Sequence, residues 1–130
     1  MEFISAEEFL KQDEEVQKVF LDWFENEACS YDIVVFKNDL QYVTFYGDIE
    51  YQESFNYEDR YIPLLTEGQI REFIEDKIHA KIRIIPTNIG YRIIYLPGKG
   101  TDLIDKCYEG DLLQVYWKVA VQIAKESIKH

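Results

Sequence analysis

The N-terminal segment places its apolar residues at the spacing of an α-helix. Ser5 and Glu8 have the S-x-x-E spacing of a capping box, and a second helix start follows at Asp13. Beyond Asp13 the apolar positions i, i+3, i+4, i+7 and i+8 share one face, and they are Val16, Val19, Phe20, Trp23 and Phe24. The opposite face carries Glu14, Lys18, Asp22 and Glu25. The pattern predicts a helix with a buried apolar face and a strongly acidic outer face.

Two pairs of β-branched and aromatic runs predict two β-hairpins. The paired runs are 31–36 with 40–46 and 81–86 with 91–96. In the first pair, Asn38 and Asp39 tolerate the positive φ that tight hairpin turns require. In the second pair, Thr87 to Gly90 forms the connection. Residues 101–110, which follow the second hairpin, are compatible with either a short helix or an irregular connection.

The middle helix has the clearest start signal in the chain. Thr66 and Gln69 have the spacing of a T-x-x-Q capping box, and Leu65 with Ile70 has the spacing of a hydrophobic staple. These signals together predict a helix that runs to about Lys77.

The last helix is predicted from about Leu112 to Ile128, with Asp111 as its N-cap. The order of elements is therefore α-ββ-α-ββ-α, which is typical of an α+β fold in which two hairpins join into one antiparallel sheet of about four strands with three helices. At 130 residues the chain has the length of one domain, so we expect residues 1–130 to form a single α+β domain.

The charge is concentrated in the first half of the chain. The net charge is −11, and residues 1–66 hold 16 acidic residues against 4 basic ones, whereas residues 67–130 hold 9 against 10. A field of this sign repels nucleic acid and anionic membranes and attracts basic protein surfaces. The acidic N-terminal residues lack the pattern of a secretory signal, and no apolar run has the length of a membrane span. We therefore expect a cytoplasmic protein.

No residue pattern in the chain indicates catalysis, a metal or a cofactor. His79 and His130 are the only histidines, and neither has a partner at ligand spacing. Cys29 and Cys107 form no C-x-x-C motif, and we expect both to be free thiols. The sequence therefore predicts a non-enzymatic protein without a catalytic residue, metal site or cofactor.

Residues 48–61 read DIEYQESFNYEDRY and combine carboxylates with aromatic rings. One interpretation is that the rings pack on the sheet or extend the second strand. The other is that carboxylates and rings together bind arginine and lysine side chains of a protein partner, as a mimic of DNA charge would. The candidate partner-binding residues are Asp48, Glu50, Tyr51, Glu53, Phe55, Tyr57, Glu58 and Asp59, with Glu14, Asp22 and Glu25 of the first long helix.

The second hairpin offers an alternative site. Arginine and tyrosine side chains that converge on a sheet can hold a nucleotide phosphate and stack its base. The candidate ligand-binding residues are Lys81, Arg83, Tyr91, Arg92 and Tyr95. The alternative function is therefore a sponge that captures a phosphorylated nucleotide signal. Solvent-facing charges on an antiparallel sheet would give the same pattern without any ligand.

Three helix-forming segments carry a resemblance to known proteins. They are SAEEFLKQDEEVQKVFLDWFEN, IPLLTEGQIREFIEDK and YEGDLLQVYWKVAVQIAKESI. These segments resemble those of small acidic accessory proteins encoded by bacteriophages and prophages of Gram-positive bacteria. The resemblance covers about half of the chain and transfers no catalytic residue. It implies an inhibitor of host machinery, such as an anti-CRISPR or other anti-defence protein, which binds the basic surface of a host protein in the bacterial cytoplasm. The residues themselves leave a homodimer open, because the apolar face of the first long helix would be a candidate interface with a second copy if it were not buried.

Overall fold

A computed structural model describes residues 2–27, 32–47, 61–96 and 103–128, and it has the α+β architecture that the sequence predicts. Within these ranges the chain forms four helices and six strands, in two three-stranded antiparallel sheets. The prediction of one sheet of about four strands with three helices is therefore wrong. The chain divides into two compact units, Phe3–Leu65 (the N-terminal unit) and Thr66–His130 with Met1–Glu2 (the C-terminal unit). The expectation of a single domain over residues 1–130 stays a prediction.

The N-terminal unit contains two helices and three strands. Their bounds are α1 Ala6–Leu10, α2 Glu14–Glu27, β1 Ile33–Phe36, β2 Asp39–Phe45 and β3 Tyr61–Pro63. The strand order is β2-β1-β3, so β1 is central and β2 lies at an edge. Val34 and Val35 of β1 point to opposite faces and are both buried, which places the core on both sides of the central strand.

The first hairpin is confirmed, but its turn differs from the one expected. β1 pairs with β2 antiparallel, with Val35 opposite Val43. The pairing register shifts between Val35 and Phe36, and neither Asn38 nor Asp39 adopts a positive φ. An irregularity in the pairing next to the turn, rather than a left-handed turn residue, therefore accompanies the two-residue connection.

The N-terminal helical region consists of two helices, and a buried glutamine of the second helix contacts the end of the first. The Ser5 side chain accepts from the Glu8 N–H, as the capping box predicts. Gln17 of α2 is buried, and its Nε2 donates to the Gln12 carbonyl at 2.8 Å and to the Leu10 carbonyl at 3.4 Å. These bonds satisfy carbonyls that the end of α1 leaves without an intrahelical partner.

The core face of α2 differs in part from the predicted face. The buried residues of α2 are Val16, Gln17, Phe20, Leu21, Trp23 and Phe24. Val19, which the periodicity assigned to the core, is only half-buried. The buried face is thus turned toward Gln17 and Leu21, because Gln17 must reach the carbonyls of α1.

The C-terminal unit contains two helices and three strands. Their bounds are α3 Glu67–Ile78, β4 Arg83–Pro86, β5 Gly90–Tyr95, β6 Ile104–Glu109 and α4 Leu112–Ile128. The strand order is β4-β5-β6, and both neighbours pair with β5 antiparallel. The second hairpin is confirmed as β4 and β5. The segment 101–110, expected as a short helix or an irregular connection, supplies β6.

The helix starts of the C-terminal unit follow their sequence signals. Thr66 Oγ1 accepts from the Gln69 N–H at 3.3 Å, and Gln69 Oε1 accepts from the Thr66 N–H at 2.9 Å, so the capping box is complete. Asp111 accepts from the Gln114 N–H at 2.9 Å and caps α4. His79 ends α3 in the left-handed region with φ 55°.

One network of charged side chains joins α3 to the start of β4. The Glu75 carboxylate, mostly buried, accepts from the Ile82 N–H at 2.9 Å and lies 3.6 Å from both Arg71 and Lys81. Arg71 also donates to the Ile82 carbonyl at 3.1 Å. Lys81 of the alternative ligand site is therefore paired with a carboxylate of its own unit.

Among the described residues, no helix combines the length and the apolar composition that crossing a membrane requires.

Candidate protein-binding surface

The helices α1 and α2 give the N-terminal unit a dense acidic surface. Residues 3–27 of this unit contain eight carboxylate side chains and two lysines. Both lysines are already paired within their own helix segment, Lys11 with Glu8 and Lys18 with Asp22, each at 3.2 Å. The surface therefore carries a large excess of negative charge that the two paired lysines do not offset.

Three of the predicted partner-binding residues lie on α2, and they do not share one environment. Glu14 and Asp22 are exposed on the outer side of the helix. Glu25 is half-buried, and its Oε1 accepts from the Tyr61 hydroxyl at 3.1 Å. Glu14 and Asp22 therefore belong to the exposed acidic surface. Glu25 instead points toward the core.

Tyr61 belongs to a buried cluster rather than to an exposed acidic and aromatic surface. Its ring lies 6.1 Å from that of Phe24 and 5.5 Å from that of Tyr46. Burial and the adjacent Glu25 charge raise the pKa of Tyr61 far above its ordinary value, so its hydroxyl keeps its proton and donates. For Tyr61, the last residue of the stretch 48–61, the first interpretation holds: its ring packs in the core.

The remaining predicted partner-binding residues are Asp48, Glu50, Tyr51, Glu53, Phe55, Tyr57, Glu58 and Asp59, and they lie outside the described residues. Their assignment to a partner surface stays a prediction.

The edge strand β2 adds exposed apolar and aromatic side chains that the sequence did not assign to a surface. Tyr42, Val43 and Phe45 are 57%, 56% and 49% exposed. Tyr42 and Val43 are adjacent and point to opposite faces, so exposure on both faces comes from the position of β2 at the edge of the sheet. The composition of residues 40–46 is that of a buried strand. The sequence alone therefore does not show which strand of the hairpin lies at the sheet edge.

The alternative ligand site is divided between the two faces of the second sheet. Arg92 lies opposite Ile85, and Arg83 lies two residues before Ile85, so the two arginines share one face. Tyr91 and Tyr95 flank the buried Ile93 and lie on the other face. The tyrosines therefore do not converge with the arginines, and the stacking platform expected for a nucleotide base does not form.

Arg92 is engaged by a carboxylate of the neighbouring strand. Its Nε donates to Asp105 Oδ1 at 2.8 Å and its Nη2 donates to Oδ2 at 2.6 Å, a bidentate pair between β5 and β6. The hydrogen bonds and charge of Arg92 hold the pKa of Asp105 below its usual range, so Asp105 stays ionised. A phosphate that approached Arg92 would meet this negative charge.

Tyr95 of β5 and Tyr108 of β6 lie on the other face of this sheet and are partly buried in the C-terminal unit. Burial raises the pKa of Tyr95, with further contributions from Tyr108 and Glu126, and burial also raises the pKa of Tyr108. Both rings are half-buried. They therefore serve packing in this unit.

The other candidate chemical groups that the structure describes have local roles. His79 is the C-cap of α3. Cys107 is a free, exposed thiol on β6, in agreement with the expectation for this residue, and Cys29 lies outside the described residues.

Comparison of the chain with protein-family models, with curated proteins and with solved structures finds no match in any of the three.

Proposed function

We propose that the protein is a non-enzymatic binding protein whose acidic N-terminal surface occupies a basic surface of another protein. The observation that carries this proposal is the charge of residues 3–27, where both lysines are paired and exposed carboxylates such as Glu7, Glu15 and Glu27 remain. Exposed charge of one sign accelerates association with an oppositely charged partner and suppresses association with nucleic acid.

The class of partner follows from charge and from the resemblance of the helical segments. A protein that binds nucleic acid presents a basic groove, and a surface with the charge of DNA occupies such a groove. The resemblance to phage accessory proteins favours a bacterial defence or nucleic-acid-processing protein as the partner, with the chain acting as an inhibitor in the bacterial cytoplasm. A nucleotide sponge is less well supported, because Arg92 is paired with Asp105 and the tyrosines lie on the other face.

Two charge-reversal variants test the acidic surface against net charge alone. In the first, Glu7→Lys, Glu15→Lys and Glu27→Lys change exposed residues of α1 and α2. In the second, Glu67→Lys, Glu109→Lys and Glu126→Lys make the same change of net charge on residues of the C-terminal unit that are not buried. Each single exposed charge is worth only about 0 to 1 kcal/mol, so a triple change is needed for a clear result.

The assay is affinity capture from a bacterial lysate at low and at raised salt, with proteins identified by mass spectrometry and bound nucleotides measured. We expect wild type and the second variant to enrich the same basic protein, and the first variant to lose it. Capture by wild type should weaken as salt increases, because salt screens exposed charge. Equal loss in both variants would assign the effect to net charge, and undiminished capture by the first variant would remove this surface from consideration.

A further inference from the structure

The edge strand β2 directs part of its backbone away from its own sheet. The Tyr46 N–H donates to the Asp32 carbonyl at 2.7 Å, and the antiparallel pairing of β2 with β1 continues from there without a shift as far as Val43. In an antiparallel ladder, successive residues direct their N–H and carbonyl groups to alternate sides. Tyr46 and Thr44 therefore face β1, whereas Phe45 and Val43 direct these groups to the outer side of the sheet.

The other sheet edges that the structure describes carry features that oppose the addition of a strand. Pro63 of β3 and Pro86 of β4 have no N–H to donate. β6 contains three charged side chains, and Lys118 Nζ donates to the Glu109 carbonyl at 3.2 Å. Proline and charged side chains are the usual protection of sheet edges. Residues 40–45 of β2 contain neither, so this edge lacks the protection that the others have.

The exposed side chains of β2 suit contact with an added strand on both faces. Tyr42 and Val43 are exposed on opposite faces. The Tyr42 ring lies 5.3 Å from the Phe36 ring at an angle of 54°, so an aromatic pair stands at this edge. Aromatic rings attract guanidinium and ammonium groups, and β-branched side chains such as Val43 favour cross-strand contacts. One face therefore suits a cationic side chain, and the other suits an apolar one.

The charge of the N-terminal unit favours a basic strand over a second copy of the chain. The described residues of this unit hold ten carboxylate side chains, eight of them in residues 3–27, and three lysines, which gives a net charge of −7. A second copy brings the same negative charge to the edge, and repulsion opposes its approach at neutral pH. A strand that carries arginine or lysine is attracted instead.

We propose that β2 binds an extended, arginine- or lysine-rich segment of a protein partner, which adds a fourth strand to the sheet β2-β1-β3. The segment forms hydrogen bonds with the outward N–H and carbonyl groups of Val43, and one of its cationic side chains contacts the Tyr42 ring. This inference rests on the proposed function for the basic character of the partner. It places the contact on β2 rather than on α1 and α2, so the two contacts can be tested separately.

The test is an NMR titration of the full chain with the peptide acetyl-Arg-Val-Arg-Val-Arg-Val-Arg-amide, set against the same peptide with glutamate in place of arginine. We expect saturable amide shifts in β2 with the basic peptide. At ten times its dissociation constant, hydrogen exchange of the Val43 N–H should slow by about tenfold, because only the free protein exposes this group. The Thr44 N–H faces β1 and should slow much less. The acidic peptide should bind at least about tenfold more weakly.

Two variants separate backbone pairing from side-chain contact. Val43→Pro removes the outward N–H, and proline is tolerated in an edge strand where the N–H faces solvent. Val43→Thr is the matched control, because it keeps both the N–H and a β-branched side chain. We expect Val43→Pro to weaken binding of the basic peptide by at least about threefold, which is within the range for one lost hydrogen bond. Val43→Thr should bind within about twofold of wild type, as exposed substitutions do.

Several results would overturn the proposal. They are the lack of a saturable shift at millimolar basic peptide, equal binding of the acidic peptide, and binding that leaves exchange of the Val43 N–H unchanged. Wild-type affinity in Val43→Pro, or equal loss in Val43→Pro and Val43→Thr, would also do so. The exchange measurement on the wild type decides the question even if Val43→Pro fails to fold. Capture of a partner by the acidic surface is judged by the charge reversals in α1 and α2, and it stands or falls independently of these results.

Discussion

Gly90 is a position where one added carbon atom disrupts the pairing of two strands. It begins β5, opposite Glu109 of β6. A Cβ built at Gly90 overlaps the Tyr108 carbonyl oxygen and lies 2.9 Å from the Glu109 Cα. Both contacts are with backbone, which cannot rotate away as a side chain can. Gly90→Ala therefore requires this end of β6 to move away from β5.

The expected loss combines two terms. Overpacking of a close contact costs about 1 to 3 kcal/mol. Movement of β6 also weakens the hydrogen bond from the Gly110 N–H to the Ile89 carbonyl at 3.1 Å, and a hydrogen bond contributes about 0.5 to 1.5 kcal/mol. We expect the free energy of unfolding of the C-terminal unit to fall by about 2 to 4 kcal/mol.

Urea unfolding followed by tryptophan fluorescence measures this loss. A Trp23→Phe background leaves Trp117 of α4 as the only reporter, so the signal comes from the C-terminal unit. With an m-value of about 2 kcal/mol per molar urea, the middle of the range for small proteins, the midpoint should fall by about 1 to 2 M.

Gly68→Ala is the matched control, because an added Cβ there meets no atom within 4 Å and the residue lies in helix α3. It should be neutral or stabilise by up to about 1 kcal/mol. If Gly90→Ala unfolds within about 0.5 kcal/mol of its parent, as surface substitutions do, the close approach of β5 and β6 at this position is refuted.

Two further predictions concern hydrogen bonds of titratable groups. Tyr61→Phe removes a buried hydroxyl that donates to a carboxylate and should lower the free energy of unfolding of the N-terminal unit by about 0.5 to 1.5 kcal/mol. Tyr42→Phe, at an exposed position, should change it by less than about 0.5 kcal/mol. Urea unfolding in a Trp117→Phe background, where Trp23 of α2 reports on the N-terminal unit, measures both effects, and equal effects would contradict the buried bond. Arg92 lowers the pKa of Asp105, so the stabilisation from this pair should be present above the unfolded value of about 3.9 and lost as the pH falls through the lower folded value. NMR titration of the Asp105 carboxyl carbon should therefore give a midpoint below its usual range, and Arg92→Gln should raise that midpoint; an unchanged midpoint would contradict the pairing.

The features that the sequence predicted correctly depend on residues close together in the chain. The box of Thr66 and Gln69 and the cap of Ser5 on the Glu8 N–H each involve a spacing of three residues. The pairing of β1 with β2 and of β4 with β5 follows from short connections. Local spacing therefore sufficed for helix starts and hairpins.

The third strand of each sheet was missed for two physical reasons. β3, Tyr61–Pro63, pairs with β1 across a long separation in sequence, and nothing local specifies that pairing. β6 reads IDKCYE, in which charged residues interrupt the apolar alternation of a strand. Both strands lie at sheet edges, but only β6 is mostly exposed, whereas all three residues of β3 are buried.

The candidate site was also predictable only in part. The acidity of α2 follows from its sequence, but the bond between Glu25 and Tyr61 joins residues 36 positions apart and has no sequence signal. The split of Tyr91 from Arg92 did have one, because adjacent residues of a strand point to opposite faces. Applied to the second hairpin, that rule separates Arg92 from Tyr91 and Tyr95 without any coordinates, whereas the face of Arg83 follows only from the register of β4 on β5.

The net charge of the chain opposes pairing between the exposed edge strands β2 of two copies. An edge strand with exposed Tyr42, Val43 and Phe45 is a template for pairing with β2 of another copy, and it contains no lysine or proline to oppose that pairing. At neutral pH the charge of −11 keeps copies apart by repulsion. Near the isoelectric point of about 4.6 this repulsion vanishes. We therefore expect mildly acidic conditions to favour self-association of the chain through β2, since the carboxylates lose their charge.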